Sequence, residues 1–399
     1  MGLSFYFQKV FSMLVIFTFA RSIHAADRVF NVKDFGARAD GIADDSKAFE
    51  SAWREACNWN GNSKVLVPLG KYLVKFVVFQ GPCKAPLSFQ LDGFVQAPPG
   101  LSKLENKESW ITFQYLRNFT LTGKGTFHGQ GQTAWPENQC HKNSDCKLPI
   151  SIRFSFLNDS TISGIQSIDS KYFHMNILGC YNLNLDNIKI SAHKDSPNTD
   201  GIHIGRSSGV VISHSVIATG DDCVSLGDGS QNILVSNVMC GPGHGISIGS
   251  LGKYKNEEDV VGLTVRNCTF TDTSNGVRIK TWPDSQPGIA SNFTFEDLVM
   301  NNVENPIVID QQYCPHSSCN IKVPSRVKIS NVSFRNIRGT SSTKVAISLV
   351  CSQETPCKNV EIGDINLLYN GLQDKGLATS SCSNVKPILL GKQIPATCA

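Results

Sequence analysis

Three carboxylates, one imidazole and two cations recur at matching places in a repeating pattern near the middle of this 399-residue chain. Five stretches share one register: Asp200-Gly-Ile-His-Ile-Gly205, Asp222-Cys-Val-Ser-Leu-Gly227, His244-Gly-Ile-Ser-Ile-Gly249, Asn275-Gly-Val-Arg-Ile-Lys280 and Asn305-Pro-Ile-Val-Ile-Asp310. Each opens on a polar residue, passes a small or turn residue, and continues as a short alternating strand. If such strands stack in a parallel ladder about 4.8 Å apart, Asp200, Asp222, His244 and Asn275 form one polar column, with Asp221 beside it. Alternation then sends Ile202, Ile204, Val224, Leu226, Ile246, Ile248, Val277 and Ile279 inward, and Ser225, Ser247, Arg278 and Lys280 outward. Glycosidic cleavage needs such carboxylates, one protonated to donate to the leaving oxygen and one charged to activate water. Crowding Asp221 against Asp200 and Asp222 makes joint ionisation costly, so one carboxyl pKa should rise. Nearby cations suit an anionic sugar. Taken singly, a Gly-Asp-Asp turn, a histidine between glycines or an Arg-x-Lys face is ordinary; their coincidence in consecutive coils points to a hydrolase acting on an acidic polysaccharide.

The elements that must position these groups are repeats. The pattern apolar-x-apolar-x-Asn/Asp/Gly-apolar returns at Leu183–Ile188, Ile233–Val238, Leu263–Asn267, Phe293–Leu298, Val327–Val332 and Val360–Ile365. Irregular intervals suit solenoid coils with variable loops. Short strands separated by Gly, Asn, Asp and Ser, with almost no helical period, predict an all-β fold, a right-handed parallel β-helix. A sandwich also has many short strands, but its hairpins reverse alternate strands and would not keep like residues in like slots. One helix is legible near the amino end, capped by Asp44 or Asp45, with Phe49, Trp53 and Cys57 on one apolar stripe. It is expected to cover the open end of the solenoid.

No linker divides the chain, so a single β-helix catalytic domain is expected over 27–399, after a secretory signal over 1–25. Lys9 supplies the positive start of that signal, Val10 to Ala20 is too short an apolar run to span a membrane comfortably, and cleavage is expected near Ala25 or Ala26. Fourteen cysteines then imply disulfides in an oxidising compartment. Short loops suggest Cys140 with Cys146, Cys314 with Cys319, Cys351 with Cys357 and Cys382 with Cys398, while Cys223 with Cys240 would staple neighbouring coils. The cysteines lack the paired short spacing of a zinc site. Asn118, Asn158, Asn267, Asn292 and Asn331 are glycosylation candidates, although Asn267 and Asn331 look like turn residues in the repeat slot of Asn187 and Asn237. The net charge of +4 includes Lys9 and Arg21 of the leader. A mildly basic mature chain argues for no nucleic acid and permits an acidic substrate. A secreted, cell-wall monomer, with no membrane attachment after cleavage, is the expectation.

Asn198-Thr199-Asp200, Gly220-Asp221-Asp222, Gly243-His244-Gly245 and Arg278-Ile279-Lys280, in that order, resemble the four signature segments of the polygalacturonases, and the likeness runs from about Val29 to the carboxyl end. It implies a right-handed parallel β-helix, an inverting reaction without a metal or other cofactor, Asp221 as general acid, and Asp200 and Asp222 as the groups that position and deprotonate water. By the same resemblance His244 assists the proton network, Arg278 and Lys280 bind the substrate carboxylate, and Tyr313 contacts substrate; Asn198 is a further binding candidate. Strand stacking alone places neighbouring carboxyls about 5 Å apart, a spacing associated with retention, so the stereochemistry comes from the resemblance. Gln80-Gly-Pro-Cys-Lys-Ala-Pro86, Asp200-Gly-Ile-His-Ile-Gly-Arg206 and Asp310-Gln-Gln-Tyr-Cys-Pro315 resemble the plant enzymes, the pollen exo type above all. An exo enzyme needs one end of its groove walled, for which Gly129 to Pro149 and Ser250 to Asp259 are candidates; an endo enzyme is the alternative. Two further readings stay open: a calcium-dependent pectate lyase, with Asp200, Asp221 and Asp222 as oxygen ligands, and a wall-binding β-helix without turnover.

Overall fold

A computed structural model describes residues 27–101, 108–138, 148–315, 319–371 and 377–398. The expected leader over 1–25, and Cys140 with Cys146, lie outside the described residues. Strands fall into an 11-stranded sheet, running in chain order from Val77–Gln80 to Thr379–Ser383, and a 22-stranded sheet. The strands Met175–Leu178, Ile202–Gly205, Val224–Leu226, Ile246–Leu251, Asn275–Thr281 and Asn305–Asp310 are successive neighbours in the smaller sheet, all paired in parallel. Each step between them is one full coil, so the chain winds as a parallel β-helix. The register is the expected one: Ile202, Val224, Ile246 and Val277 stack inward, and His203, Ser225, Ser247 and Arg278 outward. All eight apolar side chains assigned to the core are fully buried.

Two columns of left-handed bends turn the chain between strands. Asn182, Gly209, Asn232, Gly262, Asn292, Asn331 and Asn359 have φ between 52° and 79°; five residues on, Asn187, His214, Asn237, Asn267, Asp297, Asn336 and Asp364 have φ between 46° and 56°. Asn, Asp and Gly tolerate this region because a short polar side chain or none relieves the clash with the backbone. The doubled bend corrects one repeat assignment. Val332 and Phe334, not Val327 and Ile329, face Phe293 and Phe295. Asn331 therefore stands over Asn292, to which its Nδ2 donates at 3.0 Å, and does not share the slot of Asn187. Two bends of the same chemistry, five residues apart, make that slip easy to commit from sequence.

The helix runs Ser46–Cys57, with Phe49, Trp53 and Cys57 buried as expected. Asp45 occupies the capping position, but its carboxylate accepts from the Arg38 and Ala39 amides instead, while Asp44 accepts from the Ser46 amide at 3.1 Å. Trp53 packs on Phe79, ring centroids 4.9 Å apart, and so covers the aromatic end of the core. Cys57 also does more than fill the stripe: it is bonded to Cys83 and ties the helix to the coil beneath. Cys223–Cys240, Cys314–Cys319, Cys351–Cys357 and Cys382–Cys398 are joined as expected. Among the described residues no helix is long and apolar enough to cross a membrane.

Candidate active site

Asp200 and Asp222 stand at the same point of two successive coils, just before the strands Ile202–Gly205 and Val224–Leu226, and they use the same anchor. Ser225 Oγ donates to Asp200 Oδ2 at 2.7 Å, and Ser247 Oγ donates to Asp222 Oδ1 at 2.7 Å. Their surroundings then diverge. Lys280 Nζ reaches Asp222 Oδ2 at 2.9 Å and Arg278 Nη2 reaches Oδ1 at 3.1 Å. Burial drives the Asp200 carboxyl well above its usual range, and the charges of Asp221 and Asp222 push the same way. Burial would raise Asp222 too, but the Lys280 and Arg278 charges prevail and hold it below the ordinary carboxylate value. One carboxyl is thus raised, by burial first and by crowding second, and it is Asp200, a group the sequence assigned to water and not to the acid's role.

Asp221 sits in the turn one residue earlier. Its Oδ1 accepts from His244 Nδ1 at 3.0 Å and from the Asp222 amide at 2.8 Å; Oδ2 accepts from Asn198 Nδ2 at 3.2 Å. The hydrogen bond to Asp221 raises the His244 pKa, burial opposes it, and the charges of Asp221 and Asp222 add to the rise. The flanking glycines have a steric reason. A Cβ at Gly245, whose φ is +83°, would lie 2.1 Å from the Asn275 carbonyl, and one at Gly243 would lie 2.8 Å from that of Asp221. Only the bare backbone lets the His244 amide reach the Asp221 carbonyl at 2.8 Å. Asn275, the fourth member of the expected column, ties to the backbone by donating to the His244 carbonyl at 3.3 Å.

These groups open on a cleft of about 480 Å³, whose lining includes Asn198, Asp200, Asp221, Asp222, Lys280 and Tyr313. Tyr313 meets Trp282 edge to face, and its ring lies 5.4 Å from Lys280 Nζ and 5.9 Å from the Arg278 guanidinium carbon. His244 and Arg278 stand directly against the lining carboxylates Asp221 and Asp222, so the expected catalytic and substrate-binding residues come together in one place. Of the expected glycosylation positions, Asn118, Asn267, Asn292 and Asn331 are exposed and Asn158 is half-buried; Asn292 and Asn331 line a separate groove.

Four lining side chains carry no expectation from the sequence: Tyr172, Phe173, His203 and Asp228, the last bonded to Arg206 at 3.0 Å. Strand alternation could have found His203, which lies between inward Ile202 and Ile204. Its Nδ1 is 2.8 Å from Ser225 Oγ, and burial lowers its pKa to about 4, so the ring is neutral. Tyr172 and Phe173 occupy a turn with no repeat signal. The Ser250 to Asp259 segment lines the cleft through Ser250, Tyr254 and Glu257, the last accepting from the Tyr254 amide at 2.8 Å.

Donor atoms of Asp221, Asp222 and His244 lie within 4.8 Å of one another. As a calcium site the set is poor, because one donor is an imidazole and both Asp222 oxygens already accept from cationic side chains. One oxygen of Asp221 lies within 4.8 Å of one of Asp222, in keeping with the close spacing expected from strand stacking.

A parallel solenoid that presents an acid, an ionised partner and paired cations in one external cleft is the architecture of a glycoside hydrolase. The chain belongs to glycosyl hydrolase family 28, whose family model matches residues 57–398. It is 51% identical over 378 residues to an exopolygalacturonase of Platanus acerifolia, covering 94% of this chain and 99% of that one. It is 53% identical to the Arabidopsis thaliana exopolygalacturonase clone GBGA483, over 92% of this chain and 82% of the other. Among solved structures, an endo-xylogalacturonan hydrolase from Aspergillus tubingensis matches with a TM-score of 0.76 at 23% identity, over 89% and 100% of the two chains. The hyperthermoactive exopolygalacturonase of Thermotoga maritima matches with a TM-score of 0.71 at 19% identity, over 91% of each. These likenesses identify the fold as the right-handed parallel β-helix.

Proposed function

We propose that this protein is a secreted polygalacturonase that hydrolyses α-1,4-galacturonosyl bonds of polygalacturonate by acid–base catalysis and releases single units from the non-reducing end. The observation that carries the reading is the Asp221 carboxyl, hydrogen-bonded to His244 beside an Asp222 that two cations keep ionised. Asp221 protonates the leaving oxygen. Its side chain is 18% exposed, against 2% for Asp222, and so has the better access to the bond. His244, 42% exposed and raised in pKa, returns a proton to Asp221 after each turnover. Asp222 accepts the proton of the attacking water, and Asp200, kept protonated by burial, orients that water. Asn198 fixes the Asp221 rotamer. One carboxylate cannot neutralise both Lys280 and Arg278, and the residual positive charge, beside the Tyr313 ring, recognises a sugar carboxylate.

Asp221 gives the leaving oxygen its proton and Asp222 takes one from the water; Asp222 then releases that proton to solvent, from which His244 is recharged, and no step calls on a metal. Inversion is proposed on family membership. The signal expected over 1–25 and the disulfides support export, and a polygalacturonate substrate supports action in the cell wall; the enzyme acts there as a monomer. A time course of products from polygalacturonate, with and without a chelator, tests the reading. Saturated galacturonic acid should appear from the first sample, unaffected by chelation, with little fall in viscosity. Early mixed oligomers would make the enzyme endo-acting, and an unsaturated, chelator-sensitive product would make it a lyase.

A further inference from the structure

The cleft has two ends along the solenoid, and they are built differently. Outward positions follow one another in register as Asn176, His203, Ser225, Ser247 and Arg278, and of these His203 and Ser225 form the floor of the cleft. Toward the carboxyl end stand the cations. One coil toward the amino end from Ser225 the floor is covered: the Phe173 ring stacks on His203 with centroids 4.9 Å apart, and Tyr172 stacks on Phe173 at 4.1 Å. Burial first, then the charges of Asp200, Asp221 and Tyr254, push the Tyr172 hydroxyl up to about 12, which sets it protonated among those groups.

This turn is fixed from behind. Lys171, 2% exposed, donates from Nζ to the Pro98 carbonyl at 2.9 Å and the Gly129 carbonyl at 2.5 Å. Trp135 Nε1 donates to the Ser170 carbonyl at 3.1 Å, and Ser170 Oγ to the Phe173 carbonyl at 2.8 Å. Burying an ammonium against carbonyls is costly, so a lysine spent here marks a turn whose position matters. Gly129 and Trp135, in the described part of the segment expected to form a wall, hold this turn from behind, and Tyr172 and Phe173 are what it presents to the cleft.

We propose that Tyr172 and Phe173 are the end wall that makes the cleft a dead end. The wall leaves length for about one sugar ring between it and the coil of Ser225, on the ~4.8 Å coil spacing, and so fixes release of single units. The proposal rests on the exo reading, and the test separates the two. The probe is an oligogalacturonide capped by a bulky group on its non-reducing terminal 4-hydroxyl, compared with the uncapped oligomer. Wild type should leave the capped oligomer intact, whereas Tyr172→Ala/Phe173→Ala should cleave it internally at least tenfold faster than wild type. From the uncapped oligomer the double variant should yield a smaller share of monomer, and Tyr172→Phe, which keeps the ring, should behave as wild type toward the cap. A double variant that still releases only monomer and spares the capped oligomer overturns the wall. Should it lose all turnover, capped-oligomer binding decides, with both alanines placed in an Asp221→Asn background. Affinity at least tenfold tighter than for Asp221→Asn alone supports the wall, and unchanged affinity overturns it. Wild-type cleavage of the capped oligomer would instead retire the exo reading itself.

Discussion

Two histidine–aspartate pairs lie on the flanks of this solenoid, alike in their atoms and unlike in what they can do. His214 Nδ1 meets Asp186 Oδ1 at 2.7 Å, and His244 Nδ1 meets Asp221 Oδ1 at 3.0 Å. The first pair belongs to a bend column, with side chains 64% and 48% exposed. Asp186 is lowered mainly by its hydrogen bonds from His214 and Ser213, burial opposing only weakly. It is a solvated rung-to-rung tie, repeated along the column by contacts such as that of Asn182 Nδ2 with Asp159 at 2.8 Å. The second pair sits at a cleft whose neighbouring carboxyls are forced to opposite protonation states by burial and by two cations. Contact distance does not separate the pairs. Desolvation and the surrounding charge do.

The sharpest break of this comparison is to remove the same carboxyl from each pair. Asp221→Asn should lower kcat on polygalacturonate by at least the ~10²–10⁴-fold of a lost general acid, while Asp186→Asn should leave steady-state kinetics unchanged. Equal losses would dissolve the distinction. Next comes the charge environment: Lys280→Ala should raise KM, and stripping one partner from a nearly fully buried ion pair should cost about 3–5 kcal/mol of stability. Urea titration of the variant against wild type reads the second effect.

The protonation states sharpen the contrast through pH. A histidine raised in pKa stays charged up to its folded value, so the contribution of His244 to turnover should fall as pH rises through that value. The alkaline limb of the kcat profile should change in His244→Gln and stay put in His214→Gln. Asp200 follows the rule for a raised carboxyl: its favourable contribution is complete below 3.8 and is lost as pH rises through the folded pKa. Asp200→Asn should therefore melt higher than wild type at neutral pH, and the gap should close toward acid; a gap constant with pH would mean that Asp200 is not the raised group. The smallest effect is expected at the bend, where His214→Ala should change stability by no more than about 0.5 kcal/mol.

Much of this was legible in the sequence because a stacked solenoid converts register into neighbourhood. Once Asp200, Asp222, His244 and Asn275 share a slot, their strands must adjoin and their alternation sets which side chains face the core. Three of the described disulfides follow from short loops and Cys223–Cys240 from the stacking of neighbouring coils, whereas Cys57–Cys83 joins the capping helix to a later segment and leaves no local signature. The register at Val332 is ambiguous in the sequence because its two bends use the same residue types. Tyr172 and Phe173 were invisible for the opposite reason: they lie in a turn outside the repeat, placed by Lys171 and the Gly129 segment, which pattern cannot predict. The divergence of Asp200 from Asp222 also needed the structure, since it depends on where the Lys280 and Arg278 heads arrive.

The proposed role of Asp221 as proton donor is tested most directly by a substrate that needs no donor. Asp221→Asn should lose turnover of polygalacturonate yet retain most of its activity on an aryl galacturonide whose leaving group departs without protonation. Equal loss on both substrates would contradict the account and move the acid elsewhere in the cleft.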